Sequence, residues 1–166
     1  LGRPHPLALF ERSASLGAPQ SLDMVRVLAR GGFGTVALAT HRASGTQYAV
    51  KKVRKALVEP APLRRQILTE RAALASFDHP CLCKLHATHK TAICLYLVLE
   101  LCDGPELYDV LQADGPMAEA SVRAYGAEVV CALSALHARG WLYRDVKAEN
   151  VVFTKHGHVK LVDLGL

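Results

Sequence analysis

The spacing of apolar positions changes period once along the chain. From Leu22 it is strand-like: Val25, Val27 and Leu28, a glycine-rich break, then Val36, Leu38 and Ala39. A second break at Ser44-Gly45 precedes Tyr48-Ala49-Val50-Lys51. Three short strands joined by two hairpin-like turns predict an antiparallel sheet. Pro60 and Pro62 end the extended stretch and admit a helix. In that helix Ile67, Leu68, Leu74 and Phe77 form one apolar face, with Glu70 and Arg71 between them. Asp78-His79-Pro80 stops it, because a residue before proline is driven out of the helical region. Two more strands are predicted around Leu85 to His89 and Ile93 to Glu100, the second apolar enough to be buried on both faces.

After Cys102-Asp103-Gly104-Pro105 the pattern turns helical. A short helix is predicted from Leu107 to Leu111, a turn at Asp114-Gly115-Pro116, and a long helix from Ala118 to Arg139. Its apolar residues at 122, 125, 129, 133 and 136 step by three and four. Arg139 in the last turn and Gly140 beyond it make a stop signal. A polar stretch, Tyr143 to Asn150, leads to a short apolar strand, a hairpin-like turn and Asp163-Leu164-Gly165. Residues 1–21 hold Pro4, Pro6, Pro19, Gly2, Gly17 and several serines, and read as a linker or tail. The fold class is therefore α+β: an antiparallel first half, a hinge near 100–105 and a helical second half, with no internal repeat.

Composition narrows this further. Apolar residues make up 51% and charged residues 21%, as in a globular protein. The excess of 20 basic over 15 acidic residues is mild and dispersed, and aromatics are only 6%, so a nucleic-acid stacking platform has little support. Five cysteines without a paired framework point to reduced thiols and an intracellular, cytoplasmic setting. No apolar run reaches the ~18 residues of a transmembrane segment. Leu1 to Phe10 contain two prolines and no apolar core, unlike a signal peptide. The chain opens on Leu1 rather than Met, so its true start is expected to lie upstream.

Four groups of residues carry chemistry. Glycines in Leu28-Ala29-Arg30-Gly31-Gly32-Phe33-Gly34-Thr35-Val36 let backbone approach a ligand and turn N–H groups toward phosphate oxygens; a plain hairpin turn would look the same. Lys51 lies in an apolar strand, where an ammonium group is costly unless it meets an anion. Glu70, on the following helix, is a candidate partner. Asp145 and Lys147 lie two apart, so in an extended loop both face one substrate, with Asn150 at the far end. That suits a hydroxyl nucleophile and a polyphosphate. Cys81, Cys83, His86 and His89 suggest zinc only weakly, because Cys-x-Cys is not the Cys-x₂-Cys of zinc knuckles. Cys102 and Cys131 read as small core residues, and Trp141 as packed beneath the polar stretch.

The order of these groups resembles the eukaryotic protein kinases: glycine loop, Ala-Val-Lys, helix Glu, apolar strand with hinge, Arg-Asp-x-Lys-x-x-x-Asn, then Asp-x-Gly. The resemblance runs from about Leu22 to Leu166. Tyr143-Arg144-Asp145, the lysine two residues on, and Gly157-His158-Val159-Lys160-Leu161-Val162-Asp163 are similar to the AGC group, which includes the cyclic-nucleotide-dependent kinases. The resemblance implies a bilobal fold: a complete N-lobe and hinge over 22–102, with one regulatory helix, and the first part of a helical C-lobe over 103–166. It implies ATP and Mg²⁺ as cofactors and a protein Ser or Thr hydroxyl as substrate. Gly31, Gly32 and Gly34 would cover the phosphates, with Phe33 at the loop tip and Leu28 at its base. Val36 and Ala49 would sandwich the adenine, and Glu100 to Cys102 would bind its edge. Glu106 would contact the ribose. Lys51, positioned by Glu70, would hold the α- and β-phosphates. Asp145 would orient the substrate hydroxyl and Lys147 would neutralise the γ-phosphate. Asn150 and Asp163 would hold Mg²⁺.

Three departures stand out. Ala29 replaces the family's first loop glycine, Leu164 replaces the Phe of Asp-Phe-Gly, and the activation segment does not follow. A regulatory domain outside the chain is implied, and the alternative is a kinase-like binding protein without catalysis. The residues 1–166 alone are expected to be marginally soluble with little transferase activity, because Val122, Val129 and Leu136 lose their cover.

Overall fold

The computed structural model describes residues 21–32 and 34–164. The expected tail over 1–20, Phe33, and the final Gly165 and Leu166 lie outside the described residues. The chain divides into two compact units, Leu1–Ala72 with Leu85–Leu101, and Ala73–Lys84 with Cys102–Leu166. Ala73–Lys84, placed above with the first lobe, thus belongs to the second unit.

The first unit is a five-stranded antiparallel sheet. Its strands are β1 (Leu22–Gly31), β2 (Gly34–His41), β3 (Gln47–Arg54), β4 (Leu85–Lys90) and β5 (Cys94–Glu100), in the order β1-β2-β3-β5-β4. Strand periodicity sorts its side chains onto two faces. Leu22, Ala39, Tyr48, Val50, Ala87 and Val98 form one core cluster. Val53, Leu95 and Leu97 form the other with Val58 and with Ile67 of helix α1 (Ala61–Ser76). The cross-strand pairs Val53 with Leu95, Lys51 with Leu97 and Ala49 with Leu99 put all six residues on that second face. Helix α1 ends before Asp78-His79-Pro80, as the proline requires. Ile93 is a correction: it lies outside β5 and is 73% exposed, so the buried run begins at Cys94.

The second unit contains α2 (Leu107–Asp114), α3 (Glu119–His137) and a two-stranded ribbon of β6 (Val151–Phe153) and β7 (Val159–Leu161). Helix α3 stops two residues before Arg139. That side chain instead stacks its guanidinium over Phe77 and donates to the carbonyl of Ser76, capping α1's last turn. Leu136 is fully buried, whereas Val122 is 54% exposed, so cover is lost only from the outer part of the α3 apolar stripe. Cys131 is also corrected: it is exposed, while Cys102 is half-buried. Trp141 is half-buried.

Candidate active site

Alternation along β3 decides where Lys51 points. Ala49, Lys51 and Val53 share a face, and on α1 Glu70 lies one turn beyond Ile67, which packs on that face. The two charges therefore meet: Lys51 Nζ lies 2.6 Å from Glu70 Oε1, with side chains only 18% and 5% exposed. In that setting the pair is screened little by solvent, and loss of either member strands a buried charge.

Val36 stands opposite Lys51 and Leu38 opposite Ala49 in the β2–β3 pairing, so Val36 and Ala49 share the Lys51 face. Leu28 falls within an irregularity between Val27 and Ala29, where a bulge re-aims the strand. Ala29, where the register resumes after that irregularity, pairs with Val36 as a strand residue. The loop glycines separate into two kinds. A Cβ on Gly31 or Gly32 would meet nothing within 4 Å, which leaves the backbone open to a ligand. At Gly34 it would stand 2.1 Å from the carbonyl oxygen of Lys52, so Gly34 is fixed by the approach of β2 to β3. Phe33 lies outside the described residues.

In the second unit the polar stretch is locked by Asn150. Its amide nitrogen donates to the Asp145 carbonyl (2.9 Å) and carboxylate (3.0 Å), and its backbone N–H donates to the Lys147 carbonyl (3.1 Å). Val162 N–H donates to the Asn150 carbonyl, and the Tyr143 hydroxyl donates to the Val162 carbonyl at 2.6 Å. Lys147 Nζ lies 2.7 Å from Asp145 Oδ2, so the two face one another as well as solvent. The hydrogen bond from Lys147 holds the Asp145 carboxyl below its usual range, with Asn150 helping, while the same contact raises Lys147. Burial and the neighbouring Asp163 and Asp145 charges push the Tyr143 hydroxyl well above its ordinary value, so it stays a donor.

Two residues here have positive φ without being glycine, Arg144 (61°) and Asp163 (52°). Such backbone is strained and is tolerated where surroundings over-determine it. The strain turns the chain just before Asp145 and exposes the Asp163 side chain while Leu164 beside it stays buried. Asn150 uses its amide nitrogen for Asp145, which leaves Oδ1 as a hard oxygen acceptor; together with the Asp163 carboxylate this donor set fits Mg²⁺, which takes few protein ligands and keeps several waters. Among the described residues no group of three or more His, Cys, Asp or Glu is placed to hold a metal, so the Cys81, Cys83, His86 and His89 segment gives zinc no cage.

Glu106 precedes α2 and bridges to Val152 of β6. Partial burial, then Asp109 and Glu149, push its carboxyl above the ordinary value. Glu100 and Cys102 are half-buried at the end of β5 and just after it. Two further residues escaped the sequence reading. Gly104 lets the chain press against β6: a Cβ there would lie 2.5 Å from the Phe153 carbonyl oxygen, to which Gly104 N–H donates. Glu128 on α3 accepts from Val159 N–H at 2.7 Å and contacts His158 Nδ1 at 2.6 Å. Gly104 was visible as the glycine of Asp-Gly-Pro; nothing in the sequence paired Glu128 with a residue 31 positions away.

The model of the protein kinase domain matches residues 22–166. The chain is 39% identical over 146 residues to a cGMP-dependent protein kinase of Toxoplasma gondii, covering 88% of this chain and 15% of that protein. It is 33% identical to a cAMP-dependent protein kinase, catalytic subunit-like, of Caenorhabditis elegans, covering 87% and 36%. To human Serine/threonine-protein kinase Sgk1 it is 38% identical, covering 89% and 35%. The chain thus spans well under half the length of these relatives. The match takes in every strand and helix described above, and this chain belongs to the protein kinase domain family.

Proposed function

We propose that this chain is the nucleotide-handling part of an ATP-dependent kinase that phosphorylates Ser or Thr hydroxyls of protein substrates. The observation that carries the reading is the Asp145–Lys147–Asn150 network, an ionised carboxylate, a protonated amine and a fixed amide within six residues. Phosphoryl transfer depends on positioning and charge neutralisation more than on covalent chemistry by the protein. A carboxylate held below its usual pKa is a weak base, so Asp145 orients a substrate hydroxyl and accepts its proton late. Lys147, kept protonated, offsets phosphate oxygen charge. Lys51, fixed by Glu70, supports the phosphates nearer the adenosine, and Gly31 and Gly32 bring backbone N–H groups to them. Val36 and Ala49 present an apolar surface for the adenine, Leu28 a flank, Glu100 to Cys102 its hydrogen-bonding edge, and Glu106 a carboxylate for the ribose. Gly34 and Phe33 complete the loop. Mg²⁺, bound through Asn150 and Asp163, supplies neutralisation of phosphate charge. Five free cysteines and the character of the relatives support a cytoplasmic setting, and among the described residues no helix is long and apolar enough to cross a membrane. The kinship with cyclic-nucleotide-dependent kinases supports a regulatory domain elsewhere in the protein.

Calorimetric titration of the chain with ATP and Mg²⁺ tests this. Saturable binding is expected, weakened about tenfold or more by Lys51→Met and by Asp163→Ala. Binding indifferent to both substitutions would reject the site. In the longer protein, phosphate transfer to a serine peptide should vanish with Asp145→Ala. Mg²⁺-dependent ATP binding without transfer would instead favour the non-catalytic reading.

A further inference from the structure

Strand β7 has two edges. Lys160 faces Val152 across the pairing with β6, so the N–H groups of Val159 and Leu161 both point to the opposite edge. Two different elements take them up. Leu161 N–H donates to the carbonyl of Cys81 at 2.9 Å, and Cys83 N–H donates back to Leu161. Val159 N–H donates to Glu128 of α3. The Cys81 carbonyl and the Glu128 carboxylate are therefore bound side by side along one strand edge, to N–H groups about 7 Å apart. Cys131 is three residues beyond Glu128, on the same face of α3, with Cβ atoms about 5–6 Å apart. The polypeptide path thus brings Cys81 and Cys131, 50 positions apart in sequence, to one corner of the second unit. The Cys81 thiol responds to that corner: burial raises it first, then the Glu128 and Cys131 charges, while Lys160 lowers it.

We propose that Cys81 and Cys131 form a reversible redox pair that closes a disulfide between α3 and the segment preceding β4. Cys131 is exposed and meets the oxidant, whereas Cys81 is half-buried and resolves it. With hydrogen peroxide, the Cys131 thiolate attacks one peroxide oxygen, the O–O bond breaks and one water leaves, giving a sulfenic acid. The Cys81 sulfur then displaces the hydroxyl as a second water, forming the S–S bond. Two thiols lose two electrons and two protons in all, and one peroxide is reduced to two waters. A thiol reductant reverses the reaction. Cys83 and Cys94 are buried and take no part. The bridge would tie together, through covalent bonds, the two groups that hold the outer edge of β7, the strand leading directly to Asp163.

The test treats the folded chain with graded hydrogen peroxide, blocks remaining thiols and maps cross-linked peptides by mass spectrometry without reduction. A linked pair of peptides carrying Cys81 and Cys131 is expected, reversed by dithiothreitol, together with an upward shift of the melting temperature. Cys131→Ala, a surface substitution that leaves the core untouched, should abolish both changes. Cys81→Ser should leave Cys131 to proceed to sulfinic acid. The proposal is overturned if the unsubstituted chain carries Cys131 to sulfinic acid with Cys81 still free. It is equally overturned if Cys81 links to Cys83, or if Cys131→Ala oxidises with the same melting shift.

Discussion

A single methyl group separates the two kinds of glycine in the β1–β2 turn. Gly34→Ala forces a Cβ into the Lys52 carbonyl and is expected to destabilise the chain by about 3 kcal/mol. Gly32→Ala, with open space around it, should cost no more than a few tenths of a kcal/mol while still weakening ATP binding. Urea denaturation beside nucleotide titration separates the two effects. Glu106 tests electrostatics at the same scale. Its carboxyl is raised above the ordinary 4.5 by burial, then by Asp109 and Glu149. The folded state therefore binds that proton more tightly than the unfolded one, and stability from this group grows as pH falls through the folded value toward 4.5. Above that window Glu106 is a penalty. Glu106→Gln is expected to raise the melting temperature near neutral pH, with the gain shrinking to nothing below about pH 4. An equal gain at every pH would show that charge is not the cause.

At the scale of elements, β7 shows how a three-residue strand is held. Replacing Glu128 with Ala leaves Val159 N–H without its protein acceptor and should cost about 1 kcal/mol. Hydrogen exchange at Val159 should quicken more than exchange in β3. If instead the two strands respond alike, α3 does not hold β7 locally. The strands and helices themselves were legible in the sequence wherever the period was long or a proline ended it, as at β3, α1 and α3. The failures have physical reasons. Ile93 reads as strand from its side chain, but it is the last residue of the β4–β5 turn, where its carbonyl accepts from Lys55 N–H. Arg139 reads as the end of its own helix, while its cation is used to cap another. The Lys51–Glu70 pair was legible because alternation and helical spacing each fix one partner. The Glu128–Val159 contact was not, because it depends on tertiary register alone. The Asp145–Lys147 contact was half-legible: the shared facing was expected, the mutual pairing was not.

Over the whole molecule, charge and apolar surface pull in different directions. A net charge of +5 opposes association, yet Val122 and Val130 on α3 are 54% and 60% exposed, and Leu142 and Val146, beside and within the polar stretch, are 63% and 56% exposed. Exposed apolar residues of this kind favour self-association. Light scattering of the chain should rise with concentration, and Val122→Lys with Val130→Lys should suppress the rise without moving the melting temperature by more than about 2 °C. Scattering unchanged by the substitutions would place the sticky surface elsewhere.

The two-edged bonding of β7 also has a genetic consequence. In the turn at His156-Gly157-His158, all three residues are exposed, and such a tip absorbs inserted residues at little cost. Between Val159 and Asp163 the donors alternate between β6 with Asn150 on one side and Cys81 with Glu128 on the other. One residue added there exchanges the two sides and breaks the bond from Val162 N–H to the Asn150 carbonyl. Length variation among descendants of this chain should therefore gather before Val159 and cease abruptly after it.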